Sequence, residues 1–520
     1  MPLGKVVLVV TAVMASLLEI IDTSIVNVAI PTMMGNLGTT LENISWVVTG
    51  YIISNAIVLP LAGWLSVRLG RKFYYTGCIL LFTATSVGCG FAPNLPVLVF
   101  FRVIQGMAGG ALLPTSQALI VEAFPRDKAG MASAIYGMSV MIGPTVGPTL
   151  GGYLTDHFGW RSIFNINIPL GLAAAMMSYL YVEDFEKEVV IEGKKLPGID
   201  YVGLGLLIVG IGCLQYVLER GEADDWFSAK GIVICALFAF TCLPLFVWWE
   251  LKIEHPIVDL RLFKTNAVRY GTMIMATIGT MLYALVFFVP VFSSIVLGLT
   301  ATRIGELFIP GALASAAMMP MVGMQLKKRD PRHLLVVGII IFEIALLMMS
   351  QFTGLTSVDG MFWPLLLRGL AMAFLFVPIN ASVLSQFSGP KLGQASGLLN
   401  LSRQIGGSVG IAGYSTFLTI YRAQFYGTLS SHISRLDPAA SQQLNLIQGG
   451  LGAKFGNEVG IAASPTLATV KEMYFRVVRE AFVLGFERVM LTIFFITALA
   501  LIPIYFLRTK GPVKGPVDAH

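Results

Sequence analysis

Residues 143–152, Gly-Pro-Thr-Val-Gly-Pro-Thr-Leu-Gly-Gly, lie inside an apolar run that is long enough to cross a membrane. Gly143, Gly147 and Gly151 recur every fourth residue, so they share one face of a helix and let another backbone approach closely. The two prolines beside that face each remove a helix hydrogen bond, which a bilayer tolerates only where neighbouring helices compensate. The stretch therefore predicts a tightly packed transmembrane helix inside a bundle.

The same region recurs in the second half of the chain. When the sequence is slid by 263 residues without gaps, residues 128–147 lie over residues 391–410, and nine of twenty positions are identical. A membrane protein built from two related halves is typical of a secondary transporter.

The composition excludes an ordinary soluble protein. Of the 520 residues, 56% are hydrophobic and 12% are charged, and the mean hydropathy is +0.77. In soluble proteins, roughly a quarter of the residues are charged. The five cysteines lie in apolar runs and the five histidines are unclustered, so we expect neither disulfides nor a metal site.

Windows of about 20 apolar residues predict fourteen membrane spans. They cover residues 6–30, 46–66, 73–91, 95–120, 130–154, 161–182, 200–219, 230–250, 268–297, 302–324, 334–351, 362–386, 393–420 and 484–507. Because the repeat pairs the fifth span with the thirteenth, we predict an all-α integral membrane protein with two six-helix bundles and two inserted helices. The predicted divisions are residues 1–182, a linker with the inserted helices at 183–265, and residues 266–520, which include a polar outer loop at 421–480.

Basic residues in the loops set the predicted orientation. An even number of spans puts both termini on one side of the membrane. If that side is the cytoplasm, its loops hold twenty-one lysines and arginines, whereas the short outer loops hold four. Cytoplasmic loops carry such an excess, so we predict that both termini are cytoplasmic.

Ionisable side chains inside spans are costly, so each is a functional candidate. Glu19 and Asp22 lie three residues apart on one face of the first span. From the rise per residue, Asp22 and Arg102 reach a similar depth, whereas Glu343 and Arg403 fall near the middle of their spans. A carboxyl group at such a depth can gain and lose a proton as its exposure changes. Each of these residues also has a structural interpretation, as a countercharge or a packing group.

The sequence lacks the common motifs of hydrolases and of nucleotide-driven pumps. It contains no His-Glu-x-x-His, no Gly-x-Ser-x-Gly and no Walker-type glycine-rich loop. We therefore predict a secondary active transporter rather than an enzyme, without cofactors and driven by a proton gradient. One charge that crosses the membrane gains about 2.3 kcal/mol per 100 mV.

Six motifs in chain order resemble those of the fourteen-helix drug:proton antiporters of the major facilitator superfamily, the EmrB/QacA type. They are EIIDTSIVNVAIP (19–31), GWLSVRLGRK (63–72), RVIQG (102–106), GPTVGPTLGG (143–152), WRSIFNINIP (160–169) and NLSRQIGGSVG (400–410). One position departs from the family pattern, because Val67 replaces an acid that helps to latch the two halves together. That charge interaction must be absent here or replaced.

The resemblance implies the major facilitator fold and a multi-pass protein of the bacterial inner membrane that exports lipophilic drugs or toxic amphipathic compounds in exchange for protons. Likeness to the Gram-negative pumps also implies a periplasmic adaptor and an outer-membrane channel as partners, with the outer loop as the docking segment. The alternative interpretation of that loop is a lid without a partner. We expect small lipophilic substrates and membrane lipid as contacts, and no nucleic acid.

The predicted site residues fall into four groups by role. For proton coupling we predict Asp22, Glu19, Arg102 and Glu343. For substrate binding near the midplane we predict Asn27, Tyr51, Asn55, Tyr136, Asn380, Asn400, Arg403 and Gln404. The helix-packing motif consists of Gly143, Gly147, Pro148, Gly151 and Gly152, and the gating loop contains Gly63, Arg68, Gly70 and Arg71.

Two other functions remain open from the sequence. The same scaffold could serve a dedicated exporter of an endogenous lipid, fatty acid or siderophore, which a substrate screen would distinguish. A channel or membrane sensor without coupled transport is the second alternative, and saturable, gradient-dependent efflux would exclude it.

Overall fold

The computed structural model describes residues 2–184, 198–431 and 465–507, together with the isolated positions 442 and 446. Within this part of the chain all regular structure is helical. We number the long helices α1 to α14 in chain order. They are α1 (Leu3–Leu37), α2 (Leu41–Leu69), α3 (Arg71–Gly90), α4 (Leu95–Ala123), α5 (Ala129–Phe158), α6 (Ser162–Tyr181), α7 (Tyr201–Arg220), α8 (Lys230–Lys252), α9 (Asn266–Ile295), α10 (Ala301–Gln325), α11 (Pro331–Met349), α12 (Phe362–Leu384), α13 (Pro390–Ser431) and α14 (Pro465–Ala498).

Thirteen helices in the described residues are long and apolar enough to cross a membrane. They correspond to thirteen of the fourteen predicted spans. The remaining predicted span, 393–420, lies in α13, which is 42 residues long but more polar than the others. Its polar side chains Ser396, Asn400 and Arg403 are buried against other helices rather than in lipid, so the helix can stay at membrane depth.

The predicted outer loop at 421–480 is partly helical. Helix α13 continues to Ser431, and α14 begins at Pro465, so both helices extend beyond the predicted spans. Residues 432–464, apart from positions 442 and 446, lie outside the described residues, as do residues 185–197 of the predicted linker.

The helices form two six-helix bundles, α1–α6 and α9–α14, and the inserted pair α7 and α8 lies between them in the chain. Helix α7 packs against α2 of the first bundle and α13 of the second, whereas α8 packs mainly against α7. Only 17% of the most apolar window of α8 is buried, so most of this helix faces lipid. This arrangement confirms the predicted fold class.

The glycine motif of α5 lies against α1. A Cβ atom placed on Gly143 would lie 2.2 Å from Ile20 Cγ2, and one on Gly147 would lie 1.9 Å from Ser24 Oγ. The Ser24 hydroxyl donates to the Gly143 carbonyl at 3.2 Å. The close approach fixes the rotation of α1 about its axis. It thereby also fixes the direction of the acidic side chains of Glu19 and Asp22, which lie on another face of this helix. Gly152 instead faces Thr302 of α10.

We call the side of the bundle on which α1 begins the basic face, and the opposite side the distal face. The basic face includes the connections from α2 to α3, from α4 to α5 and from α10 to α11. The distal face includes the connections from α1 to α2 and from α7 to α8.

A buried ion pair and a polar network between the two halves

Asp22 forms a fully buried ion pair with Arg102. Both side chains are at most 1% exposed, and Arg102 Nη1 lies 2.5 Å from Asp22 Oδ2. The other carboxylate oxygen accepts from Asn167 Nδ2 at 2.8 Å and from Gln105 Nε2 at 3.1 Å. Removing one partner of a buried pair leaves an uncompensated charge, which typically costs about 3–5 kcal/mol. Helices α1, α4 and α6 are therefore joined through one carboxylate.

Arg102 is also held by α2. Its Nε donates to the Val47 carbonyl at 3.0 Å, and its guanidinium lies 4.2 Å from the centre of the Tyr51 ring. Nη1 additionally donates to Gln105 Oε1 at 2.9 Å. A change in the charge of Asp22 would alter the balance of contacts that this arginine makes with α1 and α2.

Glu19 lies one helical turn from Asp22, nearer to the middle of the bundle. Its side chain is 3% exposed, and its two oxygens accept from Asn55 Nδ2 at 2.8 Å and from the Leu113 backbone nitrogen at 3.1 Å. Asn55, which we predicted to bind substrate, is thus a partner of Glu19. Among the described residues, no cation lies within 4.0 Å of this carboxylate.

Gln117 of α4 is the centre of a polar network that joins the two halves. Its Nε2 donates to Asn380 Oδ1 at 2.5 Å, and its Oε1 accepts from Asn400 Nδ2 at 2.7 Å and from Ser396 Oγ at 2.5 Å. The Tyr136 hydroxyl donates to Asn400 Oδ1 at 2.9 Å. All five side chains are buried. Residues of α4 and α5 therefore meet residues of α12 and α13 across the interface between the bundles.

Sequence reasoning missed Gln117, Gln105 and Asn167 as site residues. The repeat offers a signal for the first, since Gln117 lies 263 residues before Asn380 and the two side chains bond to each other. The other two lie inside the quoted motifs of α4 and of the beginning of α6. Their importance follows only from their contact with Asp22.

The remaining predicted substrate residues divide between this interface and other places. Gln404 Nε2 donates to the Ile52 carbonyl of α2 at 3.1 Å, and Arg403 Nη2 donates to Asn400 Oδ1 at 3.2 Å. Tyr51 lies against Arg102 and is only 1% exposed. Asn27 is exposed, and its amide reaches only the Thr23 carbonyl of its own helix, at 3.4 Å.

Glu343 lies apart from the other predicted proton-coupling residues. It is on α11, and its Oε1 accepts from Thr497 Oγ1, near the end of α14, at 2.7 Å. Its other oxygen has no hydrogen-bond partner in the described residues. The structure therefore brings Asp22, Glu19 and Arg102 together and leaves Glu343 within the second bundle.

The predicted gating residues lie where the halves meet at the basic face. A Cβ on Gly63 would lie 2.6 Å from the Gln394 backbone nitrogen of α13, so the helices touch there. Arg71 pairs with Glu122 of its own half and donates to the Glu183 carbonyl at 3.0 Å. Gly70 has a φ of 84°, which favours glycine. Arg68 lies 5.4 Å from the centre of the Trp64 ring.

A salt bridge links the two halves at the same face. Lys327 Nζ lies 2.9 Å from Asp127 Oδ2, between the connections from α10 to α11 and from α4 to α5. Both side chains are about half exposed, so solvent screens the pair and it contributes little to stability. Close contact of Gly130 with Gly323 strengthens the same junction. Asp127 and Lys327 thus form a charge link between the halves at this face.

Helix α7 supplies two charged residues that sequence reasoning did not single out. Glu219 Oε1 accepts from Ser408 Oγ of α13 at 2.9 Å, and Arg220 Nη1 donates to Ser45 Oγ of α2 at 2.8 Å. Arg220 is 5% exposed and is also paired with Asp224. Adjacent residues of one inserted helix therefore contact both bundles near the distal face.

No cluster of three or more potential metal ligands occurs in the residues that the structure describes, and all five cysteines are free. The site thus consists of a buried ion pair, a second buried acid and an amide-rich network in a helical membrane bundle. This combination defines a membrane transport protein.

Comparison with known proteins agrees with this class. The sequence model of the Major Facilitator Superfamily matches residues 12–411. The chain is 33% identical to the multidrug export protein EmrB of Escherichia coli (strain K12) over 449 residues, which are 85% of this chain and 86% of that protein. It is 32% identical to the fatty acid resistance protein FarB of Neisseria gonorrhoeae over 510 residues, 98% of this chain and 96% of that protein. The proton:xylose symporter XylE has a similar structure, with a TM-score of 0.56 at 14% identity over 93% of this chain and 94% of that one.

The chain belongs to the major facilitator superfamily. It is an EmrB-type transporter and not an enzyme. The resemblance that its motifs indicated is thereby confirmed.

Proposed function

We propose that this protein is a proton-coupled antiporter that exports lipophilic or toxic amphipathic compounds across the bacterial inner membrane. The observation that carries the proposal is the Asp22–Arg102 ion pair, a fully buried carboxylate and guanidinium that join α1, α2, α4 and α6. The name of the relative EmrB, a multidrug export protein, supports an export direction.

The coupling step uses the charge of Asp22. When Asp22 is ionised, it holds Arg102 and accepts from Asn167 and Gln105. A proton that enters from the distal face neutralises the carboxylate and releases that hold. The arginine then relies on Val47 and Tyr51, so the contacts between α1 and α2 change. Glu19, one turn deeper, receives the proton on its way to the basic face.

The exchange of substrate requires the two halves to rock about the Gln117 network. In the structure, this network closes the centre of the protein, and the Gly63 and Gly130 contacts close the basic face. We assign the basic face to the cytoplasm because its loops hold most of the lysines and arginines. Both termini are cytoplasmic in this orientation.

A dedicated exporter of an endogenous lipid or fatty acid is the second candidate function. It is favoured by the FarB relative, whose name refers to fatty acid resistance. The alignment with FarB covers 98% of this chain. The segment between α13 and α14 is the proposed contact of a periplasmic adaptor in a tripartite pump.

Gradient-dependent transport tests the proposal. The purified protein is reconstituted in liposomes, and movement of a lipophilic dye is measured with a pH gradient of either sign and with none. We expect uphill dye movement toward the acidic side, which collapses when an ionophore removes the gradient. Dye movement that is independent of the gradient would contradict the antiport.

A further inference from the structure

Two carboxyl groups face each other at the basic face, where the inserted helix α7 begins and α8 ends. Asp200 directly precedes α7 and is 8% exposed, and Glu250 lies near the end of α8 and is 0% exposed. A Cβ atom placed on Gly203 would lie 2.3 Å from Asp200 Oδ2 and 2.7 Å from Glu250 Oε1. The two oxygens are therefore no further apart than the sum of these distances.

Neutral donors reach three of the four oxygens of this pair. Asp200 Oδ1 accepts from the Gly203 backbone nitrogen at 2.9 Å, and Trp249 Nε1 lies 3.0 Å from Oδ1 and 2.9 Å from Oδ2. Glu250 Oε2 accepts from the Val258 backbone nitrogen at 3.3 Å. Glu250 Oε1 is buried and has no hydrogen-bond partner. The oxygen without a partner is thus the one that faces Asp200.

No basic side chain compensates the pair. Within residues 198–431 and the other described ranges, no lysine, arginine or histidine nitrogen lies within 4.0 Å of either carboxyl group. Lys252 Nζ instead lies 4.9 Å from the centre of the Trp248 ring. Arg261 Nη2 donates to the Ile253 carbonyl at 2.8 Å. Both cations next to the pair along the chain are therefore engaged elsewhere.

The other titratable groups beside the pair lie in the connection from α8 to α9. Glu254 and His255 are exposed to solvent. Asp259 is partly buried and accepts from the Arg261 backbone nitrogen at 3.1 Å. These residues add one further negative charge near the pair and no buried positive charge.

A proton is the compensation that these surroundings favour. Burial disfavours an ionised carboxylate, and a second carboxylate at short range disfavours it further, so such a pair holds one proton between its members. A protonated carboxyl group has one O–H donor. On Glu250 Oε1, this donor would face the Asp200 carboxylate and would satisfy the one oxygen that lacks a partner.

We propose that Asp200 and Glu250 together bind one proton at the basic face, with Glu250 as the donor and Asp200 as the acceptor. The proton joins the start of α7 to the end of α8. Through Val258 it also holds the connection that leads to α9 of the second bundle. When the proton leaves, two negative charges face each other and the two helix ends separate. The site is distinct from the Asp22–Arg102 pair and does not depend on the proposed export function.

Infrared difference spectroscopy of the full-length protein in lipid nanodiscs at neutral pH tests the site. We expect the spectrum of the wild type minus that of Glu250→Gln to contain the C=O stretching band of one protonated carboxylic acid. In Asp200→Asn this band should shift or vanish, because its hydrogen-bond acceptor is no longer a carboxylate. The matched control Glu254→Gln should remove no such band, because an exposed glutamate is ionised at neutral pH.

Thermal unfolding at several pH values is a second test. The amide of Glu250→Gln can donate to Asp200 as the protonated acid does, so this variant should fold. The folded wild type holds a proton that the ionised carboxyl groups of the unfolded chain do not hold, so its stability falls as the pH rises. The melting temperature of Glu250→Gln relative to the wild type should therefore increase from about pH 6 to about pH 9.

Four results would each overturn the proposal. They are the absence of the protonated band, a band that Asp200→Asn leaves unchanged, a melting-temperature difference that does not vary with pH, and a band that appears only after a chelator has removed divalent cations. The last result would show that a metal ion occupies the place of the proton. None of these measurements involves transport, so they leave the test of the antiport separate.

Discussion

Tyr51 shows how one side chain acts through its ring rather than its hydroxyl. The ring lies 4.2 Å from the Arg102 guanidinium, whereas the hydroxyl is buried and has no hydrogen-bond partner in the described residues. A cation over an aromatic face gains about 0.5–2 kcal/mol, more when the pair is desolvated. A buried hydroxyl without a partner contributes nothing comparable and costs its desolvation.

Two substitutions at this position therefore have different expected effects. Tyr51→Phe keeps the ring and should leave both the melting temperature and proton-coupled transport close to the wild-type values. Tyr51→Leu removes the aromatic face and should lower the stability by about 1–3 kcal/mol, from lost packing and lost cation–π contact. Thermal unfolding and transport rates of the two variants check the difference. Equal losses in both variants would show that the hydroxyl matters.

At the scale of single elements, the pairing of α1 with α5 holds the acids in place. The glycines of α5 leave room for Ile20 and Ser24 on one face of α1. Asp22 then points toward α4 and α6, where Arg102 and Asn167 meet it. The position of the ion pair is thus a consequence of close backbone packing on another face of the same helix.

Gly147→Ala should weaken this packing. The new Cβ would lie 1.9 Å from Ser24 Oγ, so α1 must shift, and overpacking of this kind costs typically about 1–3 kcal/mol. The double variant Gly147→Ala with Ser24→Gly removes the clashing atoms and should recover most of the lost stability. Thermal unfolding in detergent measures both.

Gly77→Ala is the matched control in α3 of the same half. No atom lies within 4 Å of an added Cβ there, and alanine is the better helix former, so stability should stay the same or rise by up to about 1 kcal/mol. If Gly147→Ala behaved like this control, the close packing of α1 on α5 would not be needed.

At the scale of the whole molecule, the inserted helix α7 ties the two bundles together near the distal face. Arg220 binds Ser45 of α2, whereas Glu219 binds Ser408 of α13. Trp226, in the connection that follows α7, binds Thr416 of α13. Opening of the distal face must break or stretch either the contacts with α2 or the contacts with α13. Arg220 joins the first bundle through several contacts, including the Glu42 carbonyl at 3.2 Å.

Loss of the Arg220 contacts should favour distal opening. Spin labels at the exposed positions Leu41 of α2 and Phe417 of α13 report this distance. In Arg220→Gln, double electron–electron resonance should show a larger share of long distances than in the wild type. The control is Lys230→Gln, an exposed lysine at the start of α8. If the distance distribution of Arg220→Gln were the same as that of the wild type, Arg220 would not hold the two bundles together at the distal face.

The sequence sufficed to predict the helices and much of the acid–base site. Apolar windows located the spans, and the rise per residue placed Asp22 and Arg102 at one depth, where they pair. It did not predict that Asn55 bonds to Glu19, or that Gln117 is the centre of the network. Those contacts depend on how each helix is rotated about its axis, and that rotation is set by packing partners far along the chain.

The length of α14 and the partners of α7 also escaped prediction for a physical reason. Hydropathy detects the part of a helix that lies in lipid, so the polar extension from Pro465 was read as loop. Glu219 and Arg220 were placed at a span end, where charged residues are usually solvated. In the structure they are covered by α2 and α13 instead.

The account depends above all on Asp22 as the group that exchanges the proton for substrate. The most direct measurement compares wild type and Asp22→Asn in the same liposomes, by substrate-driven proton movement and by substrate counterflow without a gradient. We predict that the variant loses proton movement and retains counterflow, because asparagine still accepts from Asn167 and Gln105 but cannot release a proton. Substrate-driven proton movement at the wild-type rate in Asp22→Asn would contradict the account.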